Sequence, residues 1–113
     1  MSLNGEAPSV PENVELHKGW FRDTLPIFVK KYTEDARFIH LDCDLESSTT
    51  TVLDQLQERV VTGTVIVFDD YFPEQHAALK KFQGQTGLKY RYLSHHYLGS
   101  SVAIKIQLQS SIN

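Results

Sequence analysis

The sequence predicts an α/β domain in which parallel strands alternate with helices and the carboxyl-terminal part turns into an antiparallel hairpin. Three observations predict it. The run Thr64-Val65-Ile66-Val67-Phe68 is apolar on both faces of an extended chain, the pattern of a parallel strand covered by helices on each side. Short β-prone runs alternate along the chain with stretches whose apolar residues recur at helical spacing. After Gly87, the extended runs at residues 89–93 and 101–108 are too close for a helix between them, so they pair antiparallel.

Residues 1–12, with Gly5, Pro8 and Pro11, read as a disordered lead-in or tag remnant, residues 13–109 as the domain, and residues 110–113 as a tail. Residues 14–17 are a short strand candidate that stops at Gly19. Asp23-Thr24-Leu25-Pro26 then looks like a helix start, with Thr24 capping and the proline in the first turn, where its missing N–H does no harm. Leu25, Phe28, Val29 and Tyr32 share one face of that helix. A second strand at residues 37–41 runs directly into Asp42-Cys43-Asp44, with His40 expected to pack in the core. Ser47 and Ser48 can cap the next helix, whose stripe is Val52, Leu53, Leu56 and Val60; its threonine run has weak helix propensity, so the cap and burial must carry that turn. Gly63 closes the connection into the strand at residues 64–68, and Pro73-Glu74 opens a third helix with Ala78, Leu79 and Phe82 inward. In the last strand Val102, Ile104, Ile106 and Leu108 fall on one face, while Tyr90, Tyr92 and Tyr97 are expected to pack across the hairpin and His95 and His96 to sit in its loop.

The 113 residues hold one domain at most, and 41% hydrophobic with 22% charged residues is the balance of a globular protein rather than a disordered one. A formal charge of −3 offers no general attraction to a phosphate backbone, which argues against nucleic acid as a partner. A single cysteine, Cys43, makes an internal disulfide impossible and fits a reducing, cytoplasmic setting. No apolar run approaches the length of a membrane span, so a membrane partner is not expected.

The candidate chemistry lies where two strands end in acid. Asp42 follows the strand at residues 37–41, and Asp69-Asp70 follow the strand at residues 64–68. In an open parallel sheet, ligands bind beyond the carboxyl ends of the strands. Neighbouring strands lie about 4.8 Å apart, so the three carboxylates would converge within reach of one ion. Gathered carboxylates repel unless a cation joins them or one takes up a proton, and an all-oxygen set suits Mg2+, with calcium or manganese as alternatives. The plain alternative is that these aspartates cap the following helices or face water.

These residues also carry a resemblance. The stretch His17-Lys18-Gly19-Trp20-Phe21-Arg22-Asp23-Thr24-Leu25-Pro26, then Leu41-Asp42-Cys43-Asp44-Leu45 with Ser48-Thr49, then Val67-Phe68-Asp69-Asp70-Tyr71 resemble the macrocin and mycinamicin O-methyltransferases, and more distantly the second half of catechol O-methyltransferase. The resemblance covers residues 13–108. It implies a partial Rossmann-like methyltransferase fold, a metal-dependent enzyme using S-adenosylmethionine, and a small-molecule hydroxyl acceptor on a sugar or natural product. By resemblance Asp42, Asp69 and Asp70 match the metal ligands, and Asp42 also the base for the acceptor hydroxyl. Gly19, Trp20 and Phe21 fall where the family's loop passes the cofactor adenine, with Asp42 and Cys43 beside it. Two positions depart from the pattern: Glu46 stands where an aromatic residue is usual, and Cys43 replaces a common glycine.

The family fold orders its strands 3-2-1-4-5-7-6, and residues 14–17 correspond to its third strand, so the first two strands are missing from this sequence. None of the six glycines forms a GxGxxG-like turn, so the segment that would hold most of the cofactor is missing too. The strand at residues 37–41 then becomes an exposed edge, which invites self-association or re-docking of residues 14–17. The sequence therefore reads as a methyltransferase fragment with little activity alone. Two alternatives stand beside it: a non-catalytic oligomerising or partner-binding module derived from the same fold, and a receiver-like domain with an acidic Mg2+ pocket.

Overall fold

A computed structural model of the chain describes residues 9–42, 46–69, 71–95 and 101–107. Its elements run α1 (Phe21–Lys31), β1 (Ala36–Leu41), α2 (Glu46–Gln55), a 3-10 turn (Gln57–Arg59), β2 (Val60–Phe68), α3 (Pro73–Thr86), β3 (Lys89–His95) and β4 (Val102–Gln107). The strands form one sheet in the order β1-β2-β4-β3, with β1 parallel to β2 and β4 antiparallel to both its neighbours. That order reproduces the 4-5-7-6 end of the expected sheet. The chain has a partial Rossmann-like α/β fold.

Strand alternation builds the core. Ile39 and Leu41 of β1, Ile66 and Phe68 of β2, and Val102, Ile104 and Ile106 of β4 are buried on one face of the sheet. Val52, Leu53 and Leu56 of α2 and Ala78, Leu79 and Phe82 of α3 cover them. The opposite face carries Phe38, His40, Val65, Val67, Ala103 and Lys105, and no described helix lies on it. Phe38 is 63% exposed there, while Val65, Val67 and Ala103 are half-buried. The expectation that residues 64–68 are covered on both sides is therefore met on one side only. Right-handed crossovers explain this. The β1–α2–β2 and β2–α3–β3 connections run the same way across the sheet, so α2 and α3 return to the same face.

Several local expectations are corrected. Residues 14–17 form no strand, because no described strand lies beside them to satisfy their backbone groups. They are tied to α1 instead through Glu15, whose carboxylate accepts hydrogen bonds from the Tyr32 hydroxyl and, at 3.4 Å, from Lys31, and pairs with His17 at 2.8 Å. Helix α1 starts at Phe21, ahead of Thr24, with Trp20 at the cap position. The Thr24 hydroxyl donates back to the Trp20 carbonyl at 3.2 Å rather than capping. Pro26 consequently sits in the second turn, where one intrahelical bond is lost. Val60 opens β2 instead of completing the α2 stripe. Ser47 and Ser48 lie inside α2, and the residues that would cap it are outside the described set.

β2 is longer than expected because it continues through a kink at Gly63, whose φ of +99° is a conformation that favours glycine. The pairing of β1 with β2 shifts register there, from Ala36↔Val60 to Phe38↔Val65. Buried Thr64 fastens the kink: its hydroxyl accepts from the Val61 N–H at 3.0 Å and donates to the Ala36 carbonyl at 2.6 Å. Helix α3 starts as predicted at Pro73, and the Gln75 side chain accepts the Phe72 N–H at 3.1 Å. Gly87, at φ +73°, ends it with its N–H on the Gln83 carbonyl. His95 closes β3 rather than sitting in the loop, while His96, Tyr97 and Leu108 lie outside the described residues.

Candidate active site

Asp42 and Asp69 directly follow Leu41 and Phe68, which are register partners in the parallel pair. The ladder runs one step further, with the Asp69 N–H donating to the Leu41 carbonyl at 2.9 Å. Both aspartates thus stand on adjacent strands at the carboxyl edge of the sheet, and both are exposed. Asp70 and Cys43, the other predicted members of the site, lie outside the described residues. Among the described residues, no three acidic, histidine or cysteine side chains gather into a coordination set. The donor chemistry present, two exposed carboxylates on neighbouring strand ends, fits a hard divalent cation with much of its water retained.

His40 is not a core residue. It sits on the open face, about half exposed, with Nε2 3.6 Å from Oδ1 of Asp69. The reason is the missing cover: the strand alternation that buries Ile39 and Leu41 sends His40 to the side where no described helix lies. Sequence reasoning assumed a sheet covered on both faces.

Helix α1 follows the loop residues Gly19 and Trp20 and begins at Phe21. Its last turn is fixed at the amino edge of the sheet by Arg59, which precedes β2 and donates from Nε to the Tyr32 carbonyl at 3.1 Å and from Nη2 to the Val29 carbonyl at 2.9 Å. Gly19, Trp20 and Phe21 stand at the opposite end of α1 from this anchor. Trp20 is 72% exposed and Phe21 is exposed too. Gly19 has φ +140°, and a Cβ there would come within 3.0 Å of the Thr24 methyl, so the approach of this loop to α1 requires glycine.

The sequence reading missed one cluster beside Asp69. The Tyr71 hydroxyl lies 2.7 Å from His76 Nδ1 and 3.3 Å from the Tyr92 hydroxyl, and its ring packs edge-on against Phe68 at 5.0 Å. Burial, then the Tyr92 hydroxyl, raises the Tyr71 phenol above its ordinary range. Burial, reinforced by Tyr92, pushes Tyr90 up to about 12. Tyr71 and His76, five residues apart across a helix start, were the available signal. The partner on β3 was not legible, because it depends on β4 inserting between β2 and β3. A cleft of about 690 Å3 opens elsewhere, between residues 12–15 and β1, and neither Asp42 nor Asp69 lines it.

Comparison with known proteins agrees with this architecture. The profile of the family described as Macrocin-O-methyltransferase (TylF) matches residues 9–94. An 8-demethyl-8-(2,3-dimethoxy-α-L-rhamnosyl)-tetracenomycin-C 4'-O-methyltransferase from Streptomyces olivaceus is 35% identical over 78 residues, which is 68% of this chain and 29% of that protein. The O-methyltransferase NovP superposes with a TM-score of 0.64 at 24% identity over 80% of this chain and 36% of its own. CalS11, a TDP-rhamnose 3'-O-methyltransferase of calicheamicin biosynthesis, gives 0.63 at 20% identity over 79% and 40%. The chain thus spans less than a third of the Streptomyces relative. The antiparallel β3–β4 hairpin and the profile match set aside the receiver-like alternative, and no described helix is long and apolar enough to cross a membrane. The chain belongs to the macrocin O-methyltransferase family.

Proposed function

We propose that this chain is the carboxyl-terminal part of a methyltransferase domain that passes a methyl group from S-adenosylmethionine to a hydroxyl of a sugar or related natural product, in a cytoplasmic setting. Asp42, Asp69 and Asp70 would hold a divalent cation, Mg2+. The observation that supports this best is the placement of Asp42 and Asp69 directly after the paired residues Leu41 and Phe68, in a chain that belongs to this family. The rhamnosyl acceptor in the name of the tetracenomycin relative favours a sugar hydroxyl.

When bound, the cofactor supplies an activated methyl group and the cation lowers the pKa of an acceptor hydroxyl. Asp42 would take the proton of that hydroxyl. Trp20 and Phe21 would present apolar surface to the adenine, and Gly19 lets their loop approach α1 closely. Much of the catalysis is positioning, because the sulfonium needs no further activation. With no glycine-rich turn in its 113 residues, the isolated chain would turn over little or not at all.

Two titrations test the reading. Mn2+ added to the 15N-labelled chain should broaden the amide signals around Asp42 and Asp69 first, and Asp42→Asn or Asp69→Asn should weaken that effect at least about ten-fold, about 1.4 kcal/mol. Uniform broadening unaffected by either substitution would remove the metal assignment. Calorimetry with S-adenosylmethionine addresses the second reading, a non-catalytic partner-binding module, which the uncovered sheet face favours. Weak, saturable binding that is lost on Trp20→Ala supports the methyltransferase reading over the module.

A further inference from the structure

We infer that His40 is a positioning residue for the cation site, holding the Asp69 carboxylate in the orientation that binds the ion. The inference rests on the cation reading above and adds to it a residue beyond the aspartates.

Strand register brings His40 to Asp69. His40 is paired with Val67 in the parallel ladder, and Asp69 follows two residues after Val67. Residues two apart on a strand share a face, so β1 delivers the imidazole and β2 the carboxylate to one side of the sheet at its carboxyl edge. There Nε2 of His40 stands 3.6 Å from Oδ1 of Asp69. Both side chains are about half exposed, and a small rotation of either closes this ion-pair distance to a hydrogen bond. The backbone beneath them is already fixed, because the Asp69 N–H donates to the carbonyl of Leu41, the residue after His40, at 2.9 Å.

The atoms involved define what the imidazole does. A carboxylate facing Nε2 selects the ring form with hydrogen on that nitrogen, whether the ring is neutral or charged. Nε2 is then a donor to Oδ1 and not a ligand, and the other carboxylate oxygen is left for a cation. An aspartate at a strand end otherwise turns about both of its side-chain bonds, and binding an ion must stop that motion. A partner that stops it beforehand raises affinity, and hydrogen bonds to ligating carboxylates do so by about ten- to hundred-fold. Half exposure puts His40 at the low end of that range. Packing does not account for the histidine. Its neighbours on this face, Phe38, Val65 and Val67, are apolar, so a valine would serve there as well. Among the described residues, Asp69 is the acid that His40 meets.

Mn2+ titrations at pH 8, above the ordinary histidine range, followed by water-proton relaxation, test the inference. His40→Val suits a strand but lacks the donor, and should weaken Mn2+ binding about ten-fold. His40→Gln, whose side-chain N–H reaches the same place, should recover most of that loss, which a merely structural role would not allow. In an Asp69→Asn background His40→Val should change binding by less than about two-fold, because its effect runs through Asp69. Far-ultraviolet circular dichroism checks that each variant keeps the fold, as substitution at a half-exposed site should. Unchanged binding in His40→Val, beside a loss in Asp69→Asn, overturns the inference and leaves the cation reading standing. Tighter binding in His40→Val would mean that the imidazole competes with the ion, which overturns it too. So does an equal loss in the Asp69→Asn background, since His40 would then act without Asp69. Mn2+ binding that neither Asp42→Asn nor Asp69→Asn weakens removes the cation reading and this inference with it.

Discussion

Replacing Thr64 with valine removes one hydroxyl from a buried position while keeping the side chain's shape. In the native chain that hydroxyl accepts the Val61 N–H at 3.0 Å and donates to the Ala36 carbonyl at 2.6 Å. Each bond contributes about 1 kcal/mol net, and a polar group left without a partner costs about 1–3 kcal/mol. The two together give about 2–4 kcal/mol. The lower end applies, because Ala36 and Val61 are only half-buried. A domain of this size is stable by about 5–15 kcal/mol, so a loss of about 2 kcal/mol is easily measured. Urea unfolding followed by far-ultraviolet circular dichroism is the suitable assay, since the single tryptophan, Trp20, is already mostly exposed in the folded state and reports little. Thr64→Ser is the control: it keeps the hydroxyl, gives up one methyl, and should lose about 1 kcal/mol. If the valine variant matches the native chain while the serine variant is weaker, methyl packing rather than the two hydrogen bonds fastens the kink, and the reasoning fails.

Arg59→Lys should loosen the end of α1, because a lysine keeps the charge but lacks the planar fork whose Nε and Nη2 reach the Tyr32 and Val29 carbonyls separately. A loss of about 1–2 kcal/mol in urea unfolding, with faster amide exchange confined to α1, checks it. The tyrosine cluster predicts an alkaline limit to stability. The folded pKa values of Tyr71 and Tyr90 lie above the ordinary value of 10, so both states hold these protons below pH 10. Above it the unfolded chain ionises first, and stability falls as pH rises from 10 toward about 12. The urea midpoint should drop over that window, and Tyr90→Phe should flatten the drop; an unchanged slope in the variant would show that Tyr90 is not the source.

The placement of Asp42 and Asp69 on neighbouring strand ends was legible in the sequence because it is local. Asp42 and Asp69 each terminate a β-prone run, and parallel pairing of those runs places them together without further information. His40 and Tyr92 were misread or missed for a common reason: their surroundings come from distant segments. His40 meets Asp69 only because no described helix covers that face, and Tyr92 reaches Tyr71 only because β3 lies beyond β4 in the sheet. Residues 14–17 have the composition of a strand, but a strand is a paired object, and no described neighbour is in position to pair with them.

Taken alone, the residue pattern determined the alternation of elements, the strands that end in acid, and the switch to an antiparallel hairpin, because each depends on side-chain periodicity and short connections. Only the tertiary structure decided which face of the sheet is covered, where β2 kinks, and which phenol and imidazole meet. Those outcomes depend on the direction of crossovers and on contacts between residues far apart in the chain, and local propensity carries no record of either.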